Sequence, residues 1–570
     1  FIVMCGIAGI IGLNVDKEKL TKMLTSQHHR GPDNTGLYKY KGVLLGHNRL
    51  SIIDLSAKSH QPFTDELSRY TITFNGEIYN YIELRKELKN YDFKTDSDTE
   101  VLLAAYIKWG KNCLNKLNGM FSFAIWDSKE NKLFAARDRF GVKPFFYHFN
   151  GKELYFSSEI KALFSAGITS SKNEKVWAKY FAFGSYGMPN ETCYESISQL
   201  PGSHYLEFQK NELTIKKWYF FEKEILKYAK LESIDTVKEK YKNLLEDSIR
   251  LRFRADVPVG FNISGGLDSS TLLSFVNKIE EKQNIKAYTF YTDDNRYDEL
   301  FWVEEMLKLT KNPLTKVLLK VDEDFKEKTK YISQAQDEPY GGIPTLAYSQ
   351  IFKQARKSNT IVLLDGQGMD EQWAGYDYYI KNTNSTIQGV KTSPFKKNAL
   401  NPEFLKLASK PKYPKPFNDE ILNTQYRDLF YTKIPRALRF NDRVSMAYST
   451  ELREPFLDYR LVEYAFAQPL EYKIKDKIQK YLLREIVSED LSDTITYSPK
   501  RPLQTPQREW LQNELFDFVE ENINKIKNSN CVSWFNFDEI EKELKNYKKG
   551  NIDSSFHIWQ WLNLGLLIDN

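Results

Sequence analysis

The chain has 570 residues, 41% hydrophobic and 14% aromatic, with 81 Lys and Arg against 76 Asp and Glu. That length exceeds what one hydrophobic core serves, so two or three domains are expected. Bases and acids interleave, as in EEKQNIK and EKELKNYKK, which excludes the basic stripe of a nucleic-acid footprint; four dispersed cysteines (Cys5, Cys113, Cys193, Cys531) without a CxxC pair exclude a zinc site or disulfide framework and fit a reducing cytoplasm.

The chain opens FIVMCGIAGIIGL. A secretory signal lacks support, because no basic segment precedes this apolar run and the acidic NVDKEK follows it. No stretch approaches the roughly 18 apolar residues of a membrane span, so no membrane partner is expected. Two readings of Cys5 remain at this point: a small hydrophobe in a first strand, or a nucleophile. Up to residue 205 short β-rich runs dominate (KGVLLGHNRLSIID, YTITFNGEIYN, GMFSFAIWD, KLFAARDRF, PFFYHFN, ELYFSSE), interrupted by helical YIELRKELKN and TEVLLAAYIKWG. This predicts an α+β domain on antiparallel sheets over 5–205, then a Lys/Glu-rich linker over 206–236. From 237 to 570 strands VGFNIS, AYTFYT, TKVLLKV and TIVLLDG alternate with helices such as DELFWVEEMLKL, predicting a parallel α/β sheet followed by a helical C-terminal part.

Between strand VGFNI and a helix expected from Ser269 lies SGGLDSS, 264–270. Ser264, Gly265 and Gly266 let backbone N–H groups approach an anion at the positive end of that helix. GxxxxGK[ST] is absent, so this is not a Walker loop. A second acidic element, LLDGQGMDEQWAGY at 363–376, ends a later strand. Ligands gather at the carboxyl ends of parallel strands, which makes Asp268 and Asp370 candidate Mg²⁺ ligands beside one nucleotide.

SGGLDSS resembles the pyrophosphatase loop of N-type ATP pyrophosphatases. The N-terminal series Cys5-Gly-Ile-Ala-Gly, RGPD (30–33), RLSIID (49–54), NGEIYN (75–80), SDTE (97–100), GMFSFAIWD (119–127) and RDRFGVKPFFY (137–147) resembles the class II glutamine amidotransferase domain, an N-terminal-nucleophile hydrolase fold of stacked antiparallel sheets between helices. With DRVSMAYSTELREPFLD (442–458) and KYLLRE (480–485) added, the whole chain is similar to the glutamine-hydrolysing asparagine synthetase family.

The resemblance implies the following roles. Cys5 attacks the glutamine carboxamide. Arg49 holds the substrate carboxylate, Glu77 and Asp98 its ammonium group, and Asn75 with the Gly76 N–H forms an oxyanion hole. ATP is bound by Ile263, Ser264, Gly265, Gly266, Asp268, Ser269, Ser270, Tyr291, Asp365 and Gly366, with Mg²⁺ on Asp268 and Asp370, and Lys480 neutralises the departing pyrophosphate. The base for the thiol is the α-amine of Cys5 itself, with an ordinary pKa near 8. Met4 is accordingly expected to be an initiator that is removed, and Phe1–Val3 an upstream extension. Glutamine, ATP and a carboxylate acceptor, aspartate first, are the expected partners, in a homodimer. A catalytically dead relative is disfavoured because Cys5, Asp268 and Asp370 are all present. An RNA-thiolating enzyme is disfavoured because no paired reactive cysteine flanks the loop.

One residue departs from the family pattern. Gln367 stands in DGQGMDE where family members commonly carry a glutamate, and QDEPYGGIPTLAY (336–348) lacks the Arg expected around an aspartate pocket. An amide is no base near neutral pH. A uronic-acid sugar in polysaccharide biosynthesis is therefore the alternative acceptor.

Overall fold

The computed structural model describes residues 5–228, 230–280, 285–381, 393–498, 500–501, 504–550 and 554–568. Phe1–Met4, on which the expectation of a removed leader falls, lie outside the described residues. Among the described residues no helix is long and apolar enough to cross a membrane.

The strands, in chain order, are β1 Gly6–Ile11, β2 Asn34–Tyr40, β3 Val43–Arg49, β4 Phe63–Thr64, β5 Tyr70–Ile78, β6 Gly119–Asp127, β7 Lys132–Arg137, β8 Phe146–Phe149, β9 Leu154–Ser157, β10 Ser198–Gln199, β11 His204–Gln209 and β12 Glu212–Lys217 in the N-terminal half. The C-terminal half adds β13 Val259–Asn262, β14 Ala287–Tyr291, β15 Leu314–Leu318, β16 Val362–Leu364 and β17 Glu451–Arg453.

Two six-stranded antiparallel sheets build the N-terminal half, ordered β10-β8-β9-β1-β3-β2 and β12-β11-β7-β6-β5-β4. Their inner faces share one core in which Ile7, Ile11, Val43 and Leu45 meet Trp126, Leu133 and Leu206. Hydrogen bonds also cross between the sheets, from Thr73 Oγ1 to the Gly46 carbonyl (3.0 Å) and between His47 Nε2 and the Phe74 carbonyl (3.0 Å). The helix Lys17–Ser26 covers the first sheet with Leu20, Met23 and Leu24. Asp98–Trp109, capped by Ser97, covers the second. The order is therefore helix, sheet, sheet, helix, as the N-terminal-nucleophile fold requires. Strand runs of continuous burial such as GMFSFAIWD follow from being covered on both faces.

The C-terminal half holds a parallel sheet ordered β15-β14-β13-β16-β17. Chain order runs outward from β13 to β14 and β15 on one side, then returns to β16 and β17 on the other. The reversal between β13 and β16 is a topological switch point, where loops at the carboxyl ends leave a crevice. Helices such as Phe516–Lys527, Phe537–Lys548 and Phe556–Leu566 complete the C-terminal part.

Two sequence expectations need correction. The helix after β13 starts at Leu267, not Ser269, so Asp268 lies in its first turn. Much of 206–217, expected as linker, is a hairpin: β11 and β12 flank a turn at Lys210 and Asn211, β11 pairs with β7 and β12 with β11. Glu212, Lys216 and Lys217, part of the charge that suggested a linker, sit on the outermost strand, β12, which is partly solvated.

Buried charge ties the halves together. Arg30, fully buried, reaches Glu159 Oε1 at 3.0 Å and Asp442 Oδ2 at 2.9 Å, and its Nε donates to the Cys5 carbonyl at 3.3 Å. Asp442 belongs to the helix Lys433–Ala447 of the C-terminal half. Breaking a buried pair from one side strands the other charge. Arg30→Met should lower folding stability by about 3–5 kcal/mol, measured as the urea midpoint with a tryptophan fluorescence probe. Asp442→Leu added to it should recover part of that loss; no recovery would show that Arg30 acts through other contacts.

Candidate active sites

The first site forms where β1, β3 and β5 end together. Cys5 precedes β1; its thiol lies 3.7 Å from the Leu50 carbonyl, and burial pushes its pKa up to about 12. A buried thiol in this state is no nucleophile without a base beside it. Cys5 packs with Leu50, Ile52 and Ile53 of its own half and with Ile361, Val362 and Met446 of the other. Asn75 is completely buried, and neither its Nδ2 nor its Oδ1 has a hydrogen-bond partner. Gly76 follows at φ +146°, and a Cβ there would meet the Met120 carbonyl oxygen at 2.0 Å, so only glycine fits. A buried amide with neither atom paired is costly, so Asn75 is free to donate to a ligand oxygen brought beside it.

Acidic groups line the other side. Asp98 accepts from the Ile78 N–H at 2.9 Å, yet burial pushes its carboxyl up to about 7. Glu77 is raised well above the ordinary range by burial, and then by the charges of Glu451 and Asp98. Its counter-charge is Arg453, 3.5 Å away and entirely buried, which also pairs with Glu451. Both Glu451 and Arg453 come from β17 of the other half. The sequence reading quoted ELREPFLD but gave neither residue a role; two opposite charges at alternate positions of a strand were the available signal. Arg49 does lie in this region, but its guanidinium donates to the Ser56 carbonyl at 2.8 Å and to the Asp54 carbonyl.

The second site lies in the crevice between β13 and β16, a cavity of about 530 Å³. Ser264, Gly266, Asp268 and Ser269 line it from one strand end, and Asp365, Gly366, Gln367 and Asp370 from the other. The two loops touch, since a Cβ on Gly366 would lie 3.3 Å from the Ser269 nitrogen. Gly265, at φ +67°, turns the loop against the backbone of Trp302 and Val303. Of the predicted set, Ile263 is packed in the core and Ser270 is fully buried; neither these nor Gly265 and Tyr291 line the cavity.

Lys480 Nζ bridges the two loops, 2.5 Å from Asp268 Oδ1 and 2.6 Å from Asp370 Oδ1, and Lys500 also pairs with Asp370. Burial alone would raise Asp370; the two ammonium groups outweigh it and hold the carboxyl below its usual range. Two carboxylates converging on one cation fit Mg²⁺, which takes one or two protein carboxylates and completes its shell with phosphate oxygens and water. Among the described residues no group of three or more His, Cys, Asp or Glu could hold a metal, so a metal cage made by protein alone is absent there. Arg484 also lines the cavity. Asp365 accepts from Tyr348 (3.1 Å) and from the Gly366 N–H (2.7 Å), and burial pushes it up to about 6.

Residues 4–219 match the glutamine amidotransferase domain family and residues 240–569 the asparagine synthase family. Glutamine-hydrolyzing asparagine synthetase 1 of Bacillus subtilis is 30% identical over 98% of this chain and 95% of its own. Asparagine synthetase 3 of the same organism is 31% identical over 88% and 86%. A putative glutamine-hydrolyzing asparagine synthetase 2 of Methanocaldococcus jannaschii is 37% identical over 65% of this chain and 76% of its own.

The raised Asp98 carboxyl carries a stability signature. An acid whose folded pKa exceeds its unfolded value favours folding most below the unfolded pKa, about 4, and that contribution is lost as pH rises through about 7. Asp98→Asn should therefore gain stability relative to wild type between pH 5 and pH 8. Urea titrations at the two pH values test this; a difference between variant and wild type that does not change with pH would refute it.

Proposed function

The chain belongs to the glutamine-hydrolysing asparagine synthetase family, and from that premise we propose that it couples two reactions. Glutamine is hydrolysed at Cys5, and the ammonia amidates a carboxylate that ATP has activated as an acyl-adenylate. One observation carries the reading. Val362, at the start of β16, belongs to the same small hydrophobic cluster as Cys5, while Asp365 and Gln367, just past its end, line the second cavity. Extended chain rises about 3.3 Å per residue, so the four steps from Ile361 to Asp365 span only about 13 Å. Ammonia can cross that distance inside the protein without meeting bulk water, where it would be protonated.

In the first site the Cys5 thiolate attacks the carboxamide carbon, with its own α-amine as base once Cys5 heads the chain. The Asn75 amide and the Gly76 N–H hold the developing oxyanion. Glu77 and Asp98 hold the substrate ammonium, and Arg49 its carboxylate. Ammonia leaves with the thiol proton, and water then cleaves the thioester to glutamate. In the second site the acceptor carboxylate attacks the α-phosphorus of ATP and pyrophosphate departs towards Lys480 and Arg484. Mg²⁺ held by Asp268 and Asp370 would neutralise phosphate charge. Ammonia displaces AMP from the acyl carbon, and Asp365, held near neutrality, takes the surplus proton in place of a glutamate at position 367.

Aspartate, forming asparagine, is the first acceptor on family grounds. A uronic acid on a sugar nucleotide is the second reading, favoured by Gln367 in the cavity wall. The division proposed is a glutaminase unit and a synthetase unit, acting in the cytoplasm as a homodimer.

Cys5→Ala should abolish glutamine-dependent amide formation and leave ammonia-dependent formation intact, read as AMP release with each nitrogen source. Loss of both in a folded variant would overturn the two-site scheme. Asp268→Asn and Asp370→Asn should each stop pyrophosphate release while glutamate release from glutamine continues. An unchanged rate of pyrophosphate release in either variant would show that the carboxylate is not part of the phosphate site.

A further inference from the structure

A second cavity of about 530 Å³ lies beside the first, bounded by the loop after the helix Glu174–Phe183, by residues 410–415 and by the start of the helix Lys433–Ala447. Gly184, Tyr186 and Arg436 line both cavities, so the two are adjoining parts of one trough. ATP claims the part near 264–269.

The helix Lys433–Ala447 points its positive end into the junction. Its N-cap, Thr432, makes no side-chain capping bond, and its first turn contains no acid. Helices usually place carboxylates there; this one places Lys433 and Arg436, adding charge to the positive end of the dipole. Lys433 is only 9% exposed and lines the nucleotide cavity. It has no hydrogen bond or ion-pair partner among the described residues; its ammonium lies over the face of Tyr376, 4.6 Å from the ring centre. Burial and the Arg436 charge lower its pKa to about 8, offset in part by the carboxylates of Asp428, Glu371 and Asp370. None of these carboxylates pairs with Lys433 directly among the described residues, so an anion bound at the junction would complete the site.

The second cavity continues that charge. Lys410 and Lys412 line it without a carboxylate partner among the described residues. Its two acids are already engaged, Glu191 with Lys179 (3.2 Å) and Glu420 with Lys415 (2.9 Å). Free aspartate would leave most of this space empty, since a cavity of this size is typical for a drug-sized ligand.

We propose that this trough is a subsite for an anionic tail on the acceptor: the carboxyl group that reacts lies in the nucleotide cavity, and a phosphate-bearing portion of the same molecule runs past Lys433 and Arg436 towards Lys410 and Lys412. The inference rests on the amidation reading only for the identity of the occupant as acceptor. The anion site itself is independent of it.

The test uses the full chain with a non-hydrolysable ATP analogue and Mg²⁺ at saturation, so that the nucleotide position is filled. Glucuronate, glucuronate 1-phosphate and UDP-glucuronate provide one carboxyl group with a growing negative tail. Titration calorimetry should show affinity rising along the series. Arg436→Gln, on a partly exposed side chain, should weaken UDP-glucuronate by about tenfold, the value of one charge-assisted contact, while leaving glucuronate unchanged. Lys412→Ala, remote from the ATP loop, should weaken UDP-glucuronate in the same selective way. Equal affinities along the series, or loss of glucuronate and UDP-glucuronate binding together in both variants, would overturn the subsite. AMP release separates the two ideas. Tail-dependent, Arg436-dependent binding without AMP release from any acid would uphold the subsite and sink the amidation reading. AMP release from aspartate alone, with no tail dependence in binding, would do the reverse.

Discussion

Everything in this molecule turns on the burial of Arg30. Its guanidinium lies between Glu159 of one half and Asp442 of the other, and a third N–H holds the carbonyl of Cys5. An arginine can sit without water only if its donors are nearly all used, and here they are used on groups that must themselves be placed correctly. The position of the candidate nucleophile is thus fixed by the same contact that sets the C-terminal half against the N-terminal one. Asp442 lies on the helix Lys433–Ala447, whose first turn lines the second cavity and whose Met446 belongs to the hydrophobic cluster around Cys5. At 1.5 Å per residue a 15-residue helix is about 22 Å long, so one rigid rod spans the distance between the two chemistries.

The first site shows why such rigidity matters. Glu77, Asp98 and Glu451 crowd three carboxyl groups around the guanidinium of Arg453, and burial penalises the charged forms of Glu77 and Asp98. A cluster with more acid than base is poorly satisfied when nothing else is bound, and an arriving ammonium group would complete it. Asn75 waits in the same condition, buried with both amide atoms unpaired. Unpaired polar groups in a packed core cost stability, and they persist because sheets on both sides leave them no room to relax.

Much of this was legible in the sequence. Alternating runs gave the antiparallel half, and the change to strand-helix alternation near VGFNIS gave the parallel one, because hydrophobic period reports directly which faces are covered. Cys5, Asn75, Gly76, Asp98, Asp268 and Asp370 carry recognisable local chemistry, and each lies at a strand end or helix start where the structure gathers them. What could not be read was partnership across distance. Arg453 and Lys500 look like ordinary charges in ELREPFLD and SPKRP until folding places them beside Glu77 and Asp370. Lys433 in YTKIPRALRF reads as one solvated base of an amphipathic helix, and only the tertiary structure shows it to be buried. The misplaced linker has a similar cause, since an outer strand with one face in water has the composition of a loop.

The seam between the halves also bears on how such a chain could be rebuilt by exchange of parts. Asn118 donates to Asp458 at 2.9 Å, Asp256 accepts from the Asp54 N–H at 2.8 Å, and Glu83 pairs with Arg254 at 2.6 Å, beside the buried contacts of Arg30 and Arg453. These contacts form a complementary code written half in each segment. A chimaera that takes its first 219 residues from one relative and the remainder from another keeps these pairs only where both parents share them, and a mismatch at Arg30, Arg453 or Asp458 would bury a charge without its counterpart. The cavity beside the nucleotide crevice straddles the same seam, since Gly184, Tyr186 and Glu191 of the first half face Lys410, Lys412 and Arg436 of the second across it, so exchanging either half would also replace one of its walls.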